Sequence, residues 1–160
     1  MINRKNTAIK LVISILVTFS AAGIGSFFTT PNIPTWYASL NKPFFSPPNW
    51  LFGPVWSFLY LLMGISLFLI WVNDVPAIQK RKAVILYFIQ LTLNTLWSVI
   101  FFGMRLPSLA LVEILILETT IILTALQFRK ISVKAARLLI PYILWVAFAT
   151  MLNLSIVVLN

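Results

Sequence analysis

Residues 51–73 read LFGPVWSFLYLLMGISLFLIWVN, an apolar stretch without a charged side chain. About 20 apolar residues in a helix cross the ~30 Å hydrocarbon core of a bilayer. Backbone polar groups in lipid must be satisfied within the segment itself, so this stretch predicts a transmembrane helix. It lacks the alternation of apolar and polar residues over about ten positions that an outer-membrane strand would show.

Four further apolar stretches of similar length lie on either side of this one. The whole chain is 61% hydrophobic and 9% charged, whereas a soluble domain is only about half apolar. We therefore predict an all-α membrane protein, a bundle of five transmembrane helices that forms one domain over residues 1–160. The predicted helices cover residues 11–28, 51–73, 83–103, 109–128 and 138–159.

The first predicted helix follows basic residues, an order that also occurs in secretory signal peptides. Its apolar run over residues 11–28 is longer than the roughly 7–15 residues of a signal-peptide core. We therefore expect a helix that is retained in the protein.

Basic residues give the chain a net charge of +9 and lie mostly on one side of the predicted bundle. Ten of the twelve precede helix one or lie in the second and fourth connections, and they are Arg4, Lys5, Lys10, Lys80, Arg81, Lys82, Arg129, Lys130, Lys134 and Arg137. Only Lys42 and Arg105 lie on the other side. This positive-inside pattern predicts a plasma (inner) membrane protein with a cytoplasmic N-terminus and an external C-terminus. It accounts for the charge without nucleic acid, and lipid binding by the basic clusters is an alternative.

A long loop rich in proline and tryptophan connects the first two predicted helices, on the external side. Five of the nine prolines lie between Pro31 and Pro48. Loops of this length are uncommon unless they act as lids or binding elements. The aromatic side chains of the loop could stack on a flat apolar ligand, or they could anchor the chain at the membrane interface.

Predicted helices two, three and five each place tryptophan and small or polar residues on one face. These residues are Trp56 and Tyr60, then Asn94, Trp97, Ser98 and Phe101, then Trp145, Ala149 and Asn153. Turned inwards, the three faces would line a cavity for a flat, mostly apolar ligand with a few polar groups. Alternatively, the tryptophans are interface anchors and the asparagines bond between helices.

The acidic residues and the missing residue types limit the chemistry. Glu113 and Glu118 are five positions apart, so they do not share a helix face and do not form a general acid/base pair. Glu113 could pair with Arg105 or Asn94, and proton-coupled transport is an alternative function. The chain has no histidine or cysteine, which excludes Cys/His metal sites and a Ser-His-Asp triad. We predict no metal and no cofactor.

A stripe of small residues runs along helix one at Ser14, Thr18, Ala21 and Gly25. Such stripes let helices approach closely. The contact could lie inside the bundle or between two copies of the chain, and in the second case Ala21 and Gly25 would form the interface of a homodimer.

The loop and the helix faces together resemble a known family, the TspO/MBR family of tryptophan-rich sensory proteins. Its animal members are the mitochondrial translocator proteins, or peripheral benzodiazepine receptors. The resemblance rests on Trp36-Tyr37, Lys42-Pro43, Pro47-Pro48, Trp50, Gly53-Pro54-Val55-Trp56, Leu93-Asn94-x-x-Trp97-Ser98 and Pro141-Tyr142-x-x-Trp145. These motifs span nearly the whole chain in order.

The resemblance implies a ligand cavity beneath the first loop. Members bind porphyrins such as protoporphyrin IX and synthetic benzodiazepine-type ligands, as sensors or translocators. Carried onto this chain, the ligand-binding residues would be Trp36, Tyr37, Pro47, Trp56, Tyr60, Asn94, Trp97, Trp145 and Ala149. Some bacterial relatives are described as degrading porphyrin with light and oxygen, so a porphyrin-degrading enzyme is an alternative. The Tyr and Lys/Arg of the animal sterol motif are absent after Asn153, so sterol recognition by that route is not predicted.

Overall fold

The computed structural model describes residues 4–160, with side chains from residue 6 onward, so the side chains of Arg4 and Lys5 lie outside the described part. Within this part every regular element is helical. Five helical segments are long and apolar enough to cross a membrane. The predicted all-α fold with five transmembrane helices is therefore confirmed.

The helices are α1 (Arg4–Thr29), α2 (Trp36–Ser39), α3 (Phe52–Val72), α4 (Ala77–Ser98), α5 (Pro107–Arg129), α6 (Val133–Leu138) and α7 (Ile140–Leu159). The first, second and fourth spans are α1, α3 and α5. The third span is α4 with its continuation Val99–Gly103, and the fifth is the pair α6 and α7. The short helix α2 lies in the loop between the first two spans.

Several helices begin earlier than their apolar stretches predict. The first span begins at Arg4 rather than residue 11, the third at Ala77 rather than 83, and the fifth at Val133 rather than 138. Lysine and arginine are good helix formers and extend their charged ends to water. A helix therefore continues through them, although the apolar pattern stops.

Helix α1 packs against both α3 and α4, while α5 packs against α4 and α7. Its small-residue stripe is buried, with Ser14, Thr18 and Ala21 at most 6% exposed. A Cβ added at Gly25 would lie 3.2 Å from Oγ of Ser98 in α4. The stripe therefore packs inside the bundle, and a contact between two copies through Ala21 and Gly25 stays a prediction.

The third span ends in an irregular turn, which lies at the end of the bundle opposite the basic residues. Val99–Gly103 forms a π-helical turn, which inserts an extra residue into the helix. Phe101 and Phe102 are both buried by it. Arg105 follows with a left-handed φ of 57°, and Pro107 then begins α5 at a position where its missing N–H is harmless.

Candidate functional site

A cavity of about 250 Å³ lies in the half of the bundle that carries the Pro/Trp-rich loop. Its walls come from the first, second, third and fifth spans, and its cover comes from the loop. Seven predicted ligand-binding residues line it, namely Tyr37, Trp56, Tyr60, Asn94, Trp97, Trp145 and Ala149. The tryptophan faces of three spans, deduced from helical spacing, thus meet at one site.

Two predicted residues, Trp36 and Pro47, lie outside this lining. The ring of Trp36 packs edge-on against Phe101 and Phe102, with centroids 5.5 and 6.4 Å apart. Pro47 is half-buried within the loop. Trp36 therefore packs on two residues of the cavity wall, and direct contact of Trp36 or Pro47 with a ligand stays a prediction.

The floor of the cavity is a hydrogen-bonded group centred on Asn94. The Tyr60 hydroxyl donates to Oδ1 of Asn94, and Nδ2 of Asn94 donates to the Tyr142 hydroxyl at 2.9 Å. All three side chains are buried, and Trp56 packs on both tyrosines with centroids 5.6 and 6.1 Å apart. A satisfied buried network of this kind is rigid, so it fixes the shape of the floor.

One wall of the cavity is held by Asn153. Its Oδ1 accepts a bond from the Trp97 indole N–H at 3.2 Å, and its Nδ2 donates to the carbonyl of Pro107 at 2.8 Å. Trp97 also stacks on Phe101 with centroids 4.9 Å apart. The third, fourth and fifth spans are thereby joined at the level of the cavity.

Trp145 differs from Trp97 in its hydrogen bonding. Its side chain lines the cavity, but its buried indole N–H has no hydrogen-bond partner among the described residues. A buried donor without an acceptor costs about 1–3 kcal/mol. A ligand that brings an acceptor to Trp145 would recover part of this cost.

The cover of the cavity, which we call the lid, is the loop segment 33–51. Within it Tyr37 is buried at 5% exposure and contacts Phe101 and Phe102. Burial raises the pKa of the Tyr37 hydroxyl, and a hydrogen bond with Ser46 opposes this in part. Tyr37 therefore stays neutral at physiological pH and packs as an apolar ring.

The lid is fastened to the end of the fifth span by two asparagines. The backbone N–H of Asn41 donates to Oδ1 of Asn160 at 2.9 Å. In return, Nδ2 of Asn160 donates to the carbonyl of Asn41 at 3.0 Å. This reciprocal pair, which we call the latch, is exposed to solvent.

Sequence reasoning missed the contribution of the first span to the cavity. Gly25, Ser26 and Thr29 of α1 line it, as does Phe102. The small-residue stripe marked Gly25 as a packing position but gave no sign of a cavity beside it. Phe102 was not included because regular helical spacing does not account for the π-helical turn.

The comparisons with known proteins agree with this architecture. The sequence model of the TspO/MBR family matches residues 13–159. The chain belongs to the TspO/MBR family. The resemblance seen in the motifs is thereby confirmed.

Three relatives show how closely the chain follows the family. The tryptophan-rich protein TspO of Archaeoglobus fulgidus is 47% identical over 152 residues, covering 95% of this chain and 97% of that protein. The translocator protein of Homo sapiens is 41% identical over 132 residues, covering 81% of this chain and 78% of that protein. The tryptophan-rich sensory protein of Cereibacter sphaeroides is 34% identical over 126 residues, covering 78% of this chain and 77% of that protein. The chain is a multi-pass membrane protein of this family.

The partners predicted for Glu113 are wrong. Arg105 donates from Nη2 to Oδ1 of Asn32 at 3.1 Å. The side-chain amide of Asn94 is hydrogen-bonded to the hydroxyl groups of Tyr60 and Tyr142. Both carboxyl oxygens of Glu113 are buried without a hydrogen-bond partner among the described residues. Residues 4–160 also contain no group of acidic side chains that could hold a metal ion.

Proposed function

We propose that this protein binds tetrapyrroles such as protoporphyrin IX, or related flat apolar ligands, in the cavity under the lid, as a sensor or translocator. The observation that carries the proposal is the meeting of Trp56, Trp97 and Trp145 from three spans around one cavity. Aromatic faces suit a flat conjugated ligand, and the buried indole N–H of Trp145, which has no acceptor among the described residues, would gain one if an acceptor of the ligand reached it.

The size of the cavity gives the lid a role in binding. Its volume of about 250 Å³ is below the roughly 300–1,000 Å³ of pockets that enclose drug-sized ligands. A tetrapyrrole is at least of drug size, so the lid must move outwards to admit it. The two latch hydrogen bonds oppose this movement by only about 0.5–1.5 kcal/mol each, to which the contacts of the buried Tyr37 ring with Phe101 and Phe102 add.

The residue types of the chain favour a metal-free porphyrin over haem. Histidine and cysteine are the protein ligands of haem iron in globins, peroxidases and P450 enzymes. The chain has neither. A metal-free ring needs only apolar contact and a few hydrogen bonds, which the cavity lining offers.

Tryptophan fluorescence during titration with protoporphyrin IX tests the proposal. We expect saturable quenching, and we expect Trp145→Phe to weaken binding about fivefold, because an indole hydrogen bond of about 1 kcal/mol is lost. Trp71→Phe is the matched control, since Trp71 lies near Lys10 at the opposite end of the bundle. Equal affinities of the parent and Trp145→Phe would refute the assignment of the cavity.

A second candidate function is proton-coupled transport, which is favoured by the buried carboxyl group of Glu113. Ionisable groups inside membrane spans are often functional, and Glu113 is 6% exposed with no hydrogen-bond partner among the residues that the structure describes. Proteoliposomes with an imposed pH gradient test this candidate. Gradient-dependent porphyrin uptake should disappear in Glu113→Gln, and uptake that is equal in the two proteins would exclude it.

A further inference from the structure

Two lysines from different spans meet at Trp71, at the end of the bundle opposite the cavity. Nζ of Lys10 in α1 lies 5.9 Å from the centroid of the Trp71 ring. Nζ of Lys80 in α4 donates to the backbone carbonyl of Trp71 at 3.2 Å. Trp71 lies in the last turn of α3, so three spans come together at this residue. We call Lys10, Trp71 and Lys80 the Trp71 site.

The two lysines of the Trp71 site differ in exposure from the other cations at this end of the bundle. Lys10 and Lys80 are half-buried. The other cations that the structure describes at this end are exposed, and they are Arg81, Lys82, Arg129, Lys130, Lys134 and Arg137. Basic residues are expected on this side of a membrane protein, but long basic side chains normally extend their charge to water. The topology rule therefore does not explain why two of them lie against one tryptophan.

The contacts with Trp71 hold both ammonium groups in place and leave them able to bind an anion. An ammonium group carries three N–H donors. The carbonyl of Trp71 accepts from one donor of Lys80. The ring attracts Lys10 through its π-electrons, which neutralises no charge. Two positive charges with remaining donors are thus fixed at one place.

The chain itself supplies little negative charge at this end. Ten of the twelve basic residues lie here, against one acidic residue, Asp74. Asp74 is exposed, in the connection between α3 and α4. Glu113 and Glu118 lie within α5, and Asn160 at the C-terminus bonds to the lid at the opposite end. Most of the positive charge at this end must therefore be balanced from outside the chain.

Exposed apolar side chains adjoin the Trp71 site on each of its three helices. Ile9, Val72 and Ile78 are 55%, 39% and 61% exposed, and each is one or two positions from a residue of the site. The span Asn49–Val72 ends here, and tryptophan is enriched where the headgroups of a bilayer lie. The site therefore joins an apolar surface to a pair of cations, an arrangement that suits an amphiphile with an anionic head better than a soluble anion.

We infer that the Trp71 site binds an anionic phospholipid, whose phosphate is held by Lys10 and Lys80 and whose acyl chains lie along the exposed apolar side chains. Lysine binds phosphate as a point charge, and basic residues beside a membrane span attract anionic lipids. A lipid in this position would contact α1, α3 and α4 together. The inference does not depend on the proposed function, because the site lies away from the cavity.

Native mass spectrometry of the purified protein in a neutral detergent tests the inference. Phosphatidylglycerol is the probe and phosphatidylcholine is the reference, because both lipids carry a phosphate but only the first has a net charge. The measured quantity is the dissociation constant of the first bound lipid. We expect Lys10→Gln and Lys80→Gln each to raise it about fivefold for phosphatidylglycerol, the upper end for an exposed ion pair. Lys80→Arg should stay close to the parent, because it keeps the charge.

Two control variants separate the Trp71 site from the general charge of this end. Lys134→Gln and Arg137→Gln each remove one exposed cation from the same end of the bundle. They should change the dissociation constant less than twofold. The circular dichroism spectrum of each variant, compared with that of the parent, shows that the helices are retained.

Three results would overturn the inference. Equal weakening in all four Gln variants would show that the net charge of this end attracts the lipid and that the Trp71 site does not select it. Equal affinity of the parent for the two lipids would show that anionic lipids are not preferred. Displacement of phosphatidylglycerol by millimolar inorganic phosphate would assign the site to a soluble anion.

Discussion

Removing the latch between Asn41 and Asn160 should change how fast a ligand enters and leaves the cavity. Asn160→Ala deletes the acceptor of one hydrogen bond and the donor of the other, at 2.9 and 3.0 Å. An intramolecular hydrogen bond contributes about 0.5–1.5 kcal/mol net. The latch is exposed, so the lower end applies to each bond, and the closed lid should lose about 1 kcal/mol.

This loss predicts a specific kinetic signature. Because a factor of ten corresponds to about 1.4 kcal/mol, the fraction of open lid should rise about fivefold. A ligand that enters only through the open state then binds about fivefold faster, as the competent fraction sets the apparent rate. If the latch also re-forms over the bound ligand, the dissociation rate rises by a similar factor and Kd changes less than twofold; if it stays open over the ligand, only the association rate rises.

Stopped-flow quenching of tryptophan fluorescence by protoporphyrin IX measures both rates, and hydrogen exchange of residues 36–46 reports on opening of the lid. Asn73→Ala is the matched control. Asn73 follows the last residue of α3 at the other end of the bundle, and its Nδ2 donates to the carbonyl of Leu69. Unchanged rates in Asn160→Ala, together with faster exchange of the lid, would show that ligands do not enter under the lid. Unchanged exchange would show that the latch does not hold it.

Two further predictions concern packing and pH. Gly64→Ala should lower the free energy of unfolding by about 1–3 kcal/mol in chemical denaturation, because the added Cβ would lie 3.0 Å from the backbone of Ile15. Gly23→Ala is the control and should be neutral or stabilising, because nothing lies within 4 Å of its added Cβ. Equal losses of stability in the two variants would contradict the close contact of α1 and α3. Burial raises the Tyr37 pKa above its ordinary 10.0, so its contribution to lid closure should be complete below pH 10 and lost as the pH rises through the raised value. A tyrosinate absorbance titration of the parent against Tyr37→Phe isolates this hydroxyl, and its ionisation at or below pH 10 would contradict the burial argument.

Spacing along the helices was sufficient to find most of the cavity lining. Trp56 and Tyr60 are four residues apart, as are Trp145 and Ala149, and each pair lies on one face and lines the cavity. Positions in irregular backbone could not be placed this way. Trp36 belongs to the short helix α2, where its ring packs against Phe101, and Phe102 was turned inwards by a π-helical turn that no spacing rule includes.

The partners of single polar groups also escaped sequence reasoning. Arg105 and Asn94 were both reasonable partners for Glu113, but Arg105 bonds to Asn32 and Asn94 bonds to two tyrosines. Such pairings depend on the rotation of each helix about its axis. Several alternatives of similar energy are open to an amide or a guanidinium until that rotation is set.

The sequence by itself determined that this chain crosses a membrane five times and that three of its helices carry tryptophan faces, because hydropathy and helical periodicity are local properties. Only the tertiary structure decided that these faces meet, that the first span completes the cavity, and that the lid is fastened by Asn41 and Asn160. The physical reason is that each of these depends on contacts between residues far apart in the chain, such as the 119 positions that separate the two latch asparagines.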